Sequence, residues 1–253
     1  YGKDKHIDPD DIPLDDAATY ELFQRGDTIG IFKFESDGMR KHLKDLKPTN
    51  IEDLIAMNAL FRPGPMDNIP SFINRKHGRE KIEYPHEWLE DMLKPTYGIM
   101  VYQEQIMECA RIMADFSLGK ADSLRRAMGK KKAHEMEKNR KEFIEGAAKK
   151  NIPEEKSGEI FDIMEKFAQY GFNRSHAAAY SVLAFQTAYL KAHYPAEFLA
   201  SVLTHNKNNL ETVNFFLKEC KRLGIEVLGP DINESKQDFT VNAAGQIRFG
   251  LAE

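Results

Sequence analysis

Residues 103–223 contain an almost unbroken series of helical patterns, and this series constrains the fold more than any other feature. Apolar side chains recur there every three or four residues, which is the spacing of one face of an α-helix. The pattern predicts a short helix at 122–128 that Gly129 ends, and a later helix that Pro153 opens. Shorter helical patterns precede the series at residues 16–25, 36–46 and 51–60. The chain is therefore expected to be mainly α-helical.

A few short segments instead show the composition of β-strands. Residues 28–34 and 99–102 are rich in β-branched and aromatic side chains and are predicted to be strands. Near the end of the chain, residues 225–228 predict a further strand. Residues 239–241 and 247–249 predict a β-hairpin around the turn at 242–245. The expected fold class is mainly α with a few short strands and a small β-hairpin at the C-terminal end.

Changes in composition along the chain predict its domain organisation. Residues 1–16 are acidic and contain two prolines, which indicates a linker, although Asp15 or Asp16 can cap the helix that follows. Residues 17–224 are predicted to form one helical domain, with subdomains at 17–97 and 98–224. Residues 225–253 are predicted to begin the following region. Because the first residue is Tyr1 rather than Met, we expect the chain to be a fragment of a longer protein; a cloning scar or proteolytic processing would give the same start.

Charge is distributed unevenly along the chain. The formal net charge is −4, yet residues 120–150 carry eleven Lys or Arg against five Asp or Glu. A mild overall charge can conceal a strongly basic face. Cys109 and Cys220 lie far apart within helical patterns, which predicts reduced core thiols and no zinc site. No apolar run is long enough to span a membrane, and no signal pattern is present, so a cytoplasmic protein is expected.

The basic segment 124–132 (LRRAMGKKK) is the clearest candidate for phosphate binding. Arg125 and Arg126 adjoin apolar residues rather than further charge, and Gly129 allows close approach of the backbone to a ligand. Arginine presents a planar fork that matches phosphate oxygens, while Lys130 adds a mobile point charge. A solvated run of charges remains the alternative.

A second candidate is the segment 170–176 (YGFNRSH), which precedes a helical pattern. Asn173 or Ser175 can cap that helix, so its N-terminus would offer an anion site beside Arg174 and His176. Tyr170 adds an aromatic ring suited to base stacking. The alternatives are a capped helix with a satisfied histidine, or His176 as a general base, which no Ser/Cys–His–Asp spacing supports.

Two further motifs have an open assignment. Arg62 lies in a rigid turn formed by two prolines around a glycine, and it could bind a phosphate or base, or could form a salt bridge. Residues 97–105 (YGIMVYQEQ) could face a cleft or serve the structure. The acidic pairs at 10–11 and 15–16 lie in a linker or capping context, and no Walker motif is present. We therefore expect phosphate binding without a metal site in this chain.

Six motifs in series resemble those of one protein family. The segments are IFKFESDGM (31–39), ALFRPGP (59–65), YGIMVYQEQ (97–105), LRRAMGKKK (124–132), YGFNRSH (170–176) and LKAHYP (190–195). Together they resemble the bacterial replicative DNA polymerase III alpha subunit, the family C polymerases. The stretch resembles the fingers, starting just after the palm and ending where the next region begins. The family's catalytic aspartate motifs are absent here, and Arg174 stands where Lys is expected.

This resemblance implies roles for the candidate residues in DNA replication. Arg125, Arg126 and Lys130 would face the triphosphate of an incoming dNTP. Asn173, Arg174, Ser175 and His176 would line the same cleft. Arg62 and Tyr170 would contact the base pair or template. Lys131 and Lys132 would contact the DNA backbone or solvent.

The resemblance also implies partners and a cofactor. The partners are template–primer DNA and dNTPs, the palm and thumb of the same polypeptide, and the sliding clamp and other replicase subunits. Mg²⁺ would be held by the palm and not by this chain, so a nucleotidyltransferase activity would belong to the full-length protein and the fragment alone would be inactive. A non-catalytic nucleic-acid-binding module and a free-standing enzyme using His176 are the alternatives.

Overall fold

A computed structural model describes residues 7–129, 133–168 and 170–252. Within these residues the chain forms twelve α-helices. They are α1 (Ala17–Arg25), α2 (Asp37–Leu46), α3 (Ile51–Leu60), α4 (Ile69–Lys76), α5 (Glu90–Leu93), α6 (Gln103–Ala114), α7 (Leu118–Gly129), α8 (Ala133–Ala148), α9 (Glu154–Ala168), α10 (Arg174–His193), α11 (Pro195–His205) and α12 (Leu210–Arg222). Short 3₁₀ helices occupy Pro9–Asp11, Pro65–Asn68, Glu87–Leu89 and Lys94–Thr96.

A small sheet lies near the C-terminal end of the chain. Its strands are β1 (Val227–Leu228), β2 (Thr240–Val241) and β3 (Ile247–Arg248), in the order β1-β3-β2. β3 pairs in parallel with β1 and antiparallel with β2, with Val241 opposite Ile247. The predicted C-terminal hairpin and the mainly helical fold class are therefore confirmed.

Several helices begin directly after a residue whose side chain caps them. Asp16 accepts a hydrogen bond from the backbone N–H of Thr19 at 2.8 Å and begins α1. Ser36 caps α2, and Asn50 accepts from the backbone N–H of Asp53 at 3.0 Å to begin α3. Each cap satisfies a backbone donor that has no partner inside its helix. Helix α1 ends at Gly26, whose positive φ of 66° is favoured by glycine.

The chain divides into two compact units, Tyr1–Pro48 with Val182–Glu253 and Thr49–Ser181. The domain boundaries expected from composition remain a prediction. Among the described residues, no helix is both long enough and apolar enough to cross a membrane.

The unit formed by Tyr1–Pro48 and Val182–Glu253 buries α11 and α12 against the sheet, with Leu199, Leu203 and Phe239 in its core. It also buries a charge pair. The Lys191 ammonium group donates to Glu219 at 2.9 Å and to the carbonyl oxygen of Asp27 at 2.8 Å, and both side chains of the pair are 1% exposed. Buried charges are tolerated only when they are paired in this way.

The unit Thr49–Ser181 has its core where α6 packs against α7, α8 and α9. Phe143 of α8 is fully buried, and its ring contacts the rings of Phe116 and Phe161. Cys109 lies in this core, and burial raises the pKa of its thiol. Cys220, in the other unit, is buried too, which raises its pKa to about 11, and both cysteines are free thiols.

Residues 28–34 do not form the strand that their alternation predicts. The backbone N–H of Ile31 donates to Thr28 and that of Phe34 to Ile31, each at 3.0 Å, which makes consecutive turns. Gly30 and Lys33 have positive φ angles of 81° and 67°, which an extended strand excludes. The apolar pattern instead reflects Ile31 and Phe34, which are both fully buried.

Residues 99–102 were also predicted to be a strand, and that prediction is wrong apart from a single bridge. Tyr102 forms an isolated parallel bridge with Phe172. The backbone N–H groups of Val101 and Tyr102 both donate to the side-chain oxygen of Gln105, at 2.8 and 3.0 Å. Because the Gln105 side chain takes both of these backbone donors, the bridge cannot extend into a longer strand ladder.

Helix α7 begins four residues earlier than predicted, at Leu118 instead of Asp122. Ser117 explains this early start, since its side chain accepts from the backbone N–H of Lys120 at 3.3 Å. Gly129 is the last described residue of this helix, so the predicted end at Gly129 stays a prediction.

Two helical glycines provide a matched test of the α6–α8 packing. A Cβ atom at Gly146 would collide with the backbone carbonyl of Ala114, whereas one at Gly119 would meet nothing within 4 Å. We expect Gly146→Ala to lower the free energy of unfolding by about 1–3 kcal/mol. Gly119→Ala should leave it unchanged or raise it by up to about 1 kcal/mol. Urea unfolding of both variants measures the difference, and equal shifts would contradict the packing described.

Candidate functional site

A short backbone pairing joins two of the motifs. The backbone N–H of Phe172 donates to Val101 at 3.2 Å, and the N–H of Gln103 donates to Phe172 at 2.9 Å. This pairing places the start of α6 beside the residues that precede α10. The motifs at 97–105 and 170–176, far apart in sequence, therefore meet within one unit.

Asn173 caps α10 and contacts α6 at the same time. Its side-chain oxygen accepts from the backbone N–H of His176 at 2.8 Å, and its amide nitrogen donates to Glu104 at 2.8 Å. The other oxygen of Glu104 accepts from the backbone N–H of Arg174 at 3.0 Å. A carboxylate thus lies against the first turn of α10, where a helix favours negative charge.

Arg174 is held by a second carboxylate. Its guanidinium group donates to Glu52 at 2.6 Å and lies 5.8 Å from the centre of the Tyr102 ring. The hydrogen bond to Glu52 raises the pKa of Arg174, so the side chain stays positively charged. The side chain is 46% exposed, which leaves it accessible to a ligand.

Ser175 and His176 are exposed on the first turn of α10. The His176 ring lies 5.3 Å from the Phe172 ring and 4.6 Å from the Tyr180 ring, measured between centroids. These edge contacts orient the imidazole. The helix cap that was predicted for this motif is present, and Asn173 provides it.

Arg125 and Arg126 share one carboxylate, that of Asp122. Both Nε and Nη2 of Arg125 donate to the same Asp122 oxygen, at 3.0 and 2.8 Å. Arg126 pairs with the other oxygen at 2.5 Å. Arg125 also donates from Nη1 to the side-chain oxygen of Gln103 at 3.2 Å, so α7 is linked to the start of α6. The remaining predicted phosphate and DNA ligands of this motif, Lys130, Lys131 and Lys132, lie outside the described residues.

Arg62, which follows α3, contacts Tyr170 on the segment before α10. Arg62 donates to the backbone oxygen of Tyr170 at 2.5 Å and of Ala59 at 3.0 Å, and it lies 4.5 Å from the centre of the Phe172 ring. Burial lowers the pKa of Arg62. The described contacts of Arg62 are therefore with carbonyl oxygens and an aromatic ring. The Tyr170 ring packs over Gly64, whose φ of 98° requires glycine.

Four residues of this region received no role in the sequence analysis: Glu52, Gln103, Glu104 and Asp122. Asp122 precedes Arg125 and Arg126 by three and four residues, a helical spacing that signals an ion pair. Gln103 and Glu104 lay in a motif whose assignment was open. Glu52 carried no local signal, because its partner Arg174 is remote in sequence.

Asp16, in the second acidic pair, serves the structure. Asp16 caps α1 and pairs with His193 at 3.0 Å, and Asp10 and Asp11 lie in the 3₁₀ helix Pro9–Asp11. In the part of the chain that the structure describes, no group of three or more His, Cys, Asp or Glu is placed to hold a metal ion. The arrangement offers donors and cations for an anionic ligand, together with carboxylates that neutralise them.

Comparison with known proteins assigns the family. The model of the bacterial DNA polymerase III alpha subunit finger domain matches residues 1–151, more than half of the chain. The chain therefore belongs to this family, as its motifs predicted. A second model, the helix-hairpin-helix motif, matches residues 224–253. The described residues of that stretch contain the three-stranded sheet.

Relatives from several bacteria align along almost the whole chain. DNA polymerase III subunit alpha of Neisseria meningitidis serogroup B is 55% identical over 97% of the chain, and that of Borreliella burgdorferi is 51% identical over 98%. The subunit of Thermus aquaticus is 50% identical over 99%. The chain spans 21–22% of the length of these relatives.

The shared carboxylate of Asp122 has a measurable consequence. Hydrogen bonds from Arg125 and then Arg126 hold its pKa below the ordinary value, since they favour the charged form. These ion pairs are complete above the ordinary pKa of an aspartate and are lost as the pH falls through the lowered one. We expect Arg125→Ala to raise the pKa of Asp122 more than Arg126→Ala does, because Arg125 donates twice.

An acid-range ¹³C NMR titration of the Asp122 carboxyl group measures this change. Arg111→Ala is the matched control, since Arg111 pairs with Glu108 at 2.7 Å and not with Asp122. An Asp122 pKa that is the same in all three variants and in the unchanged chain would refute the shared pairing.

Proposed function

We propose that this chain is the fingers region of a DNA-directed DNA polymerase and that it binds the incoming dNTP together with template–primer DNA. The observation that carries the proposal is the meeting of two cationic motifs at the start of α6. Gln103 contacts Arg125, and Glu104 contacts Asn173 and the backbone of Arg174. The family of the chain supports the same reading.

The triphosphate would be bound by exchange of partners. Arg125, Arg126 and Arg174 each face a carboxylate. Phosphate oxygens accept charge-assisted hydrogen bonds from guanidinium groups as carboxylates do, so a triphosphate can replace these partners. Lys130 would add a further positive charge. The exposed Asn173, Ser175 and His176 would contact the sugar, base or phosphate of the same nucleotide.

These contacts would serve nucleotidyl transfer in the full-length protein. Oriented cations neutralise charge on the phosphates and hold the α-phosphorus for attack by the primer 3′-oxygen, with pyrophosphate as the leaving group. Mg²⁺ would be supplied by the palm and not by this chain.

The remaining candidates would contact nucleic acid or other parts of the replicase. Arg62 and Tyr170 would meet the base pair or template, and Lys131 and Lys132 the DNA backbone. The palm and thumb would adjoin this chain within the full-length polypeptide. The sliding clamp and other replicase subunits would associate through the full-length protein.

Replacing both arginines tests the triphosphate assignment. In the full-length polymerase, we expect Arg125→Ala with Arg126→Ala to lower kcat/KM for dNTP incorporation by about 10²–10³-fold, because preorganised charge stabilisation of the reacting phosphates is lost. The exposed Arg111→Ala on α6 is the matched control. Single-nucleotide extension of a labelled primer measures the change, and an unaltered kcat/KM would show that the assignment is wrong.

An activity assay of the isolated chain distinguishes this proposal from the alternative of a free-standing enzyme. With primer–template, dNTPs and Mg²⁺, we expect the isolated chain to incorporate no nucleotide, because the palm carboxylates are missing. Metal-dependent nucleotidyl transfer that His176→Ala abolishes would instead support an enzyme using that histidine.

A non-catalytic DNA-binding module predicts salt-sensitive binding without preference for a primer terminus. Titrations with blunt and with recessed duplexes measure that preference.

A further inference from the structure

We infer that Gln103 is a positioning residue for nucleotide binding, which orients Arg125 against the segment that precedes α10. The inference rests on the proposed function, since it assigns Gln103 a part in presenting Arg125 to the triphosphate. Gln103 is the first residue of α6 and carries no charge of its own.

The side-chain amide of Gln103 uses both of its ends. Its oxygen accepts from Nη1 of Arg125 at 3.2 Å, and its nitrogen donates to the backbone oxygen of Gly171 at 3.1 Å. The donor and acceptor of an amide are fixed relative to each other, so the hydrogen bond to Gly171 sets the position of the oxygen that meets Arg125. Gln103 thus connects the two cationic motifs through a single rigid group.

Gln103 is itself held by the segment that it contacts. Its backbone N–H donates to Phe172 at 2.9 Å. A Cβ atom at Gly171 would lie 3.2 Å from Cγ of Gln103, so the stem of the side chain packs directly on the glycine backbone. Backbone and side chain are both anchored, which leaves little freedom for the amide that meets Arg125.

Gln103 complements Asp122 in fixing the guanidinium group of Arg125. Asp122 accepts from Nε and Nη2, whereas Gln103 accepts from Nη1. Together they engage three of the five N–H groups that a guanidinium carries. Asp122 is an anion that a triphosphate can replace. Gln103 is neutral and can keep its contact when phosphate arrives, so it would hold the orientation of Arg125 during the exchange.

A double-mutant cycle in the full-length polymerase tests this role. Gln103→Met keeps the length of the side chain and removes its hydrogen bonds. We expect it to raise KM for dNTP about tenfold, the size of one hydrogen bond to a charged group, while the dissociation constant for primer–template stays unchanged. In the Arg125→Ala background, the same change should alter KM less than about twofold, because the group that Gln103 positions is gone.

Two further variants make the result specific. Gln103→Asn retains an amide that is one methylene too short to span from Gly171 to Arg125, and it should behave like Gln103→Met. It replaces Gln103→Met if that variant lowers Tm. Gln186→Met is the matched control, because Gln186 donates to the backbone oxygen of Pro9 at 3.0 Å and should leave KM unchanged.

The outcomes separate this inference from the proposed function. An equal rise in KM with and without Arg125 would show that Gln103 acts independently, and this inference would fail while the loss in Arg125→Ala still supports nucleotide binding. An unchanged KM for both Gln103 variants would also overturn it. If Arg125→Ala alone changes neither KM nor kcat, the proposed function fails and the inference fails with it.

Discussion

The candidate site depends on the backbone pairing between residues 101–103 and Phe172. Two hydrogen bonds, of 3.2 and 2.9 Å, bring the start of α6 beside the start of α10. The pairing stays short because Gln105 takes the neighbouring backbone donors, so the chain can turn at once into α6. The first two residues of that helix, Gln103 and Glu104, therefore project onto the segments that carry the cations. If this pairing shifted by one residue, the contact of Gln103 with Arg125 and that of Glu104 with the backbone of Arg174 would both be lost.

Electrostatic balance within the site follows from that geometry. In the motifs 124–132 and 170–176, each described arginine faces a carboxylate. Asp122 pairs with Arg125 and Arg126, and Glu52 pairs with Arg174. Glu104 lies on the N-terminal turn of α10. Such internal partners hold the cations in place and offset the repulsion between neighbouring positive charges. Because these pairs are partly exposed to solvent, each is weak enough to be exchanged for a charged ligand.

The sequence predicted the helices well because periodicity and caps are local signals, as at Asp16. It failed at residues 28–34, where the left-handed conformation of Lys33 overrides the alternating pattern. For the site, the cationic residues could be identified from composition and motif order. The partner Glu52 could not, since it meets Arg174 only through the tertiary fold. Asp122 could have been predicted from its helical spacing to Arg125.

The central claim is that the two motifs act on one nucleotide, and a structure of the full-length polymerase with primer–template and an unreacted dNTP tests it most directly. The account predicts guanidinium nitrogens of Arg125 and Arg126 within about 3 Å of triphosphate oxygens. It also predicts that residues 173–176 contact the same nucleotide, and that Gln103 still contacts Arg125. A bound nucleotide that leaves Arg125 on Asp122, with residues 173–176 facing away from it, would contradict the account.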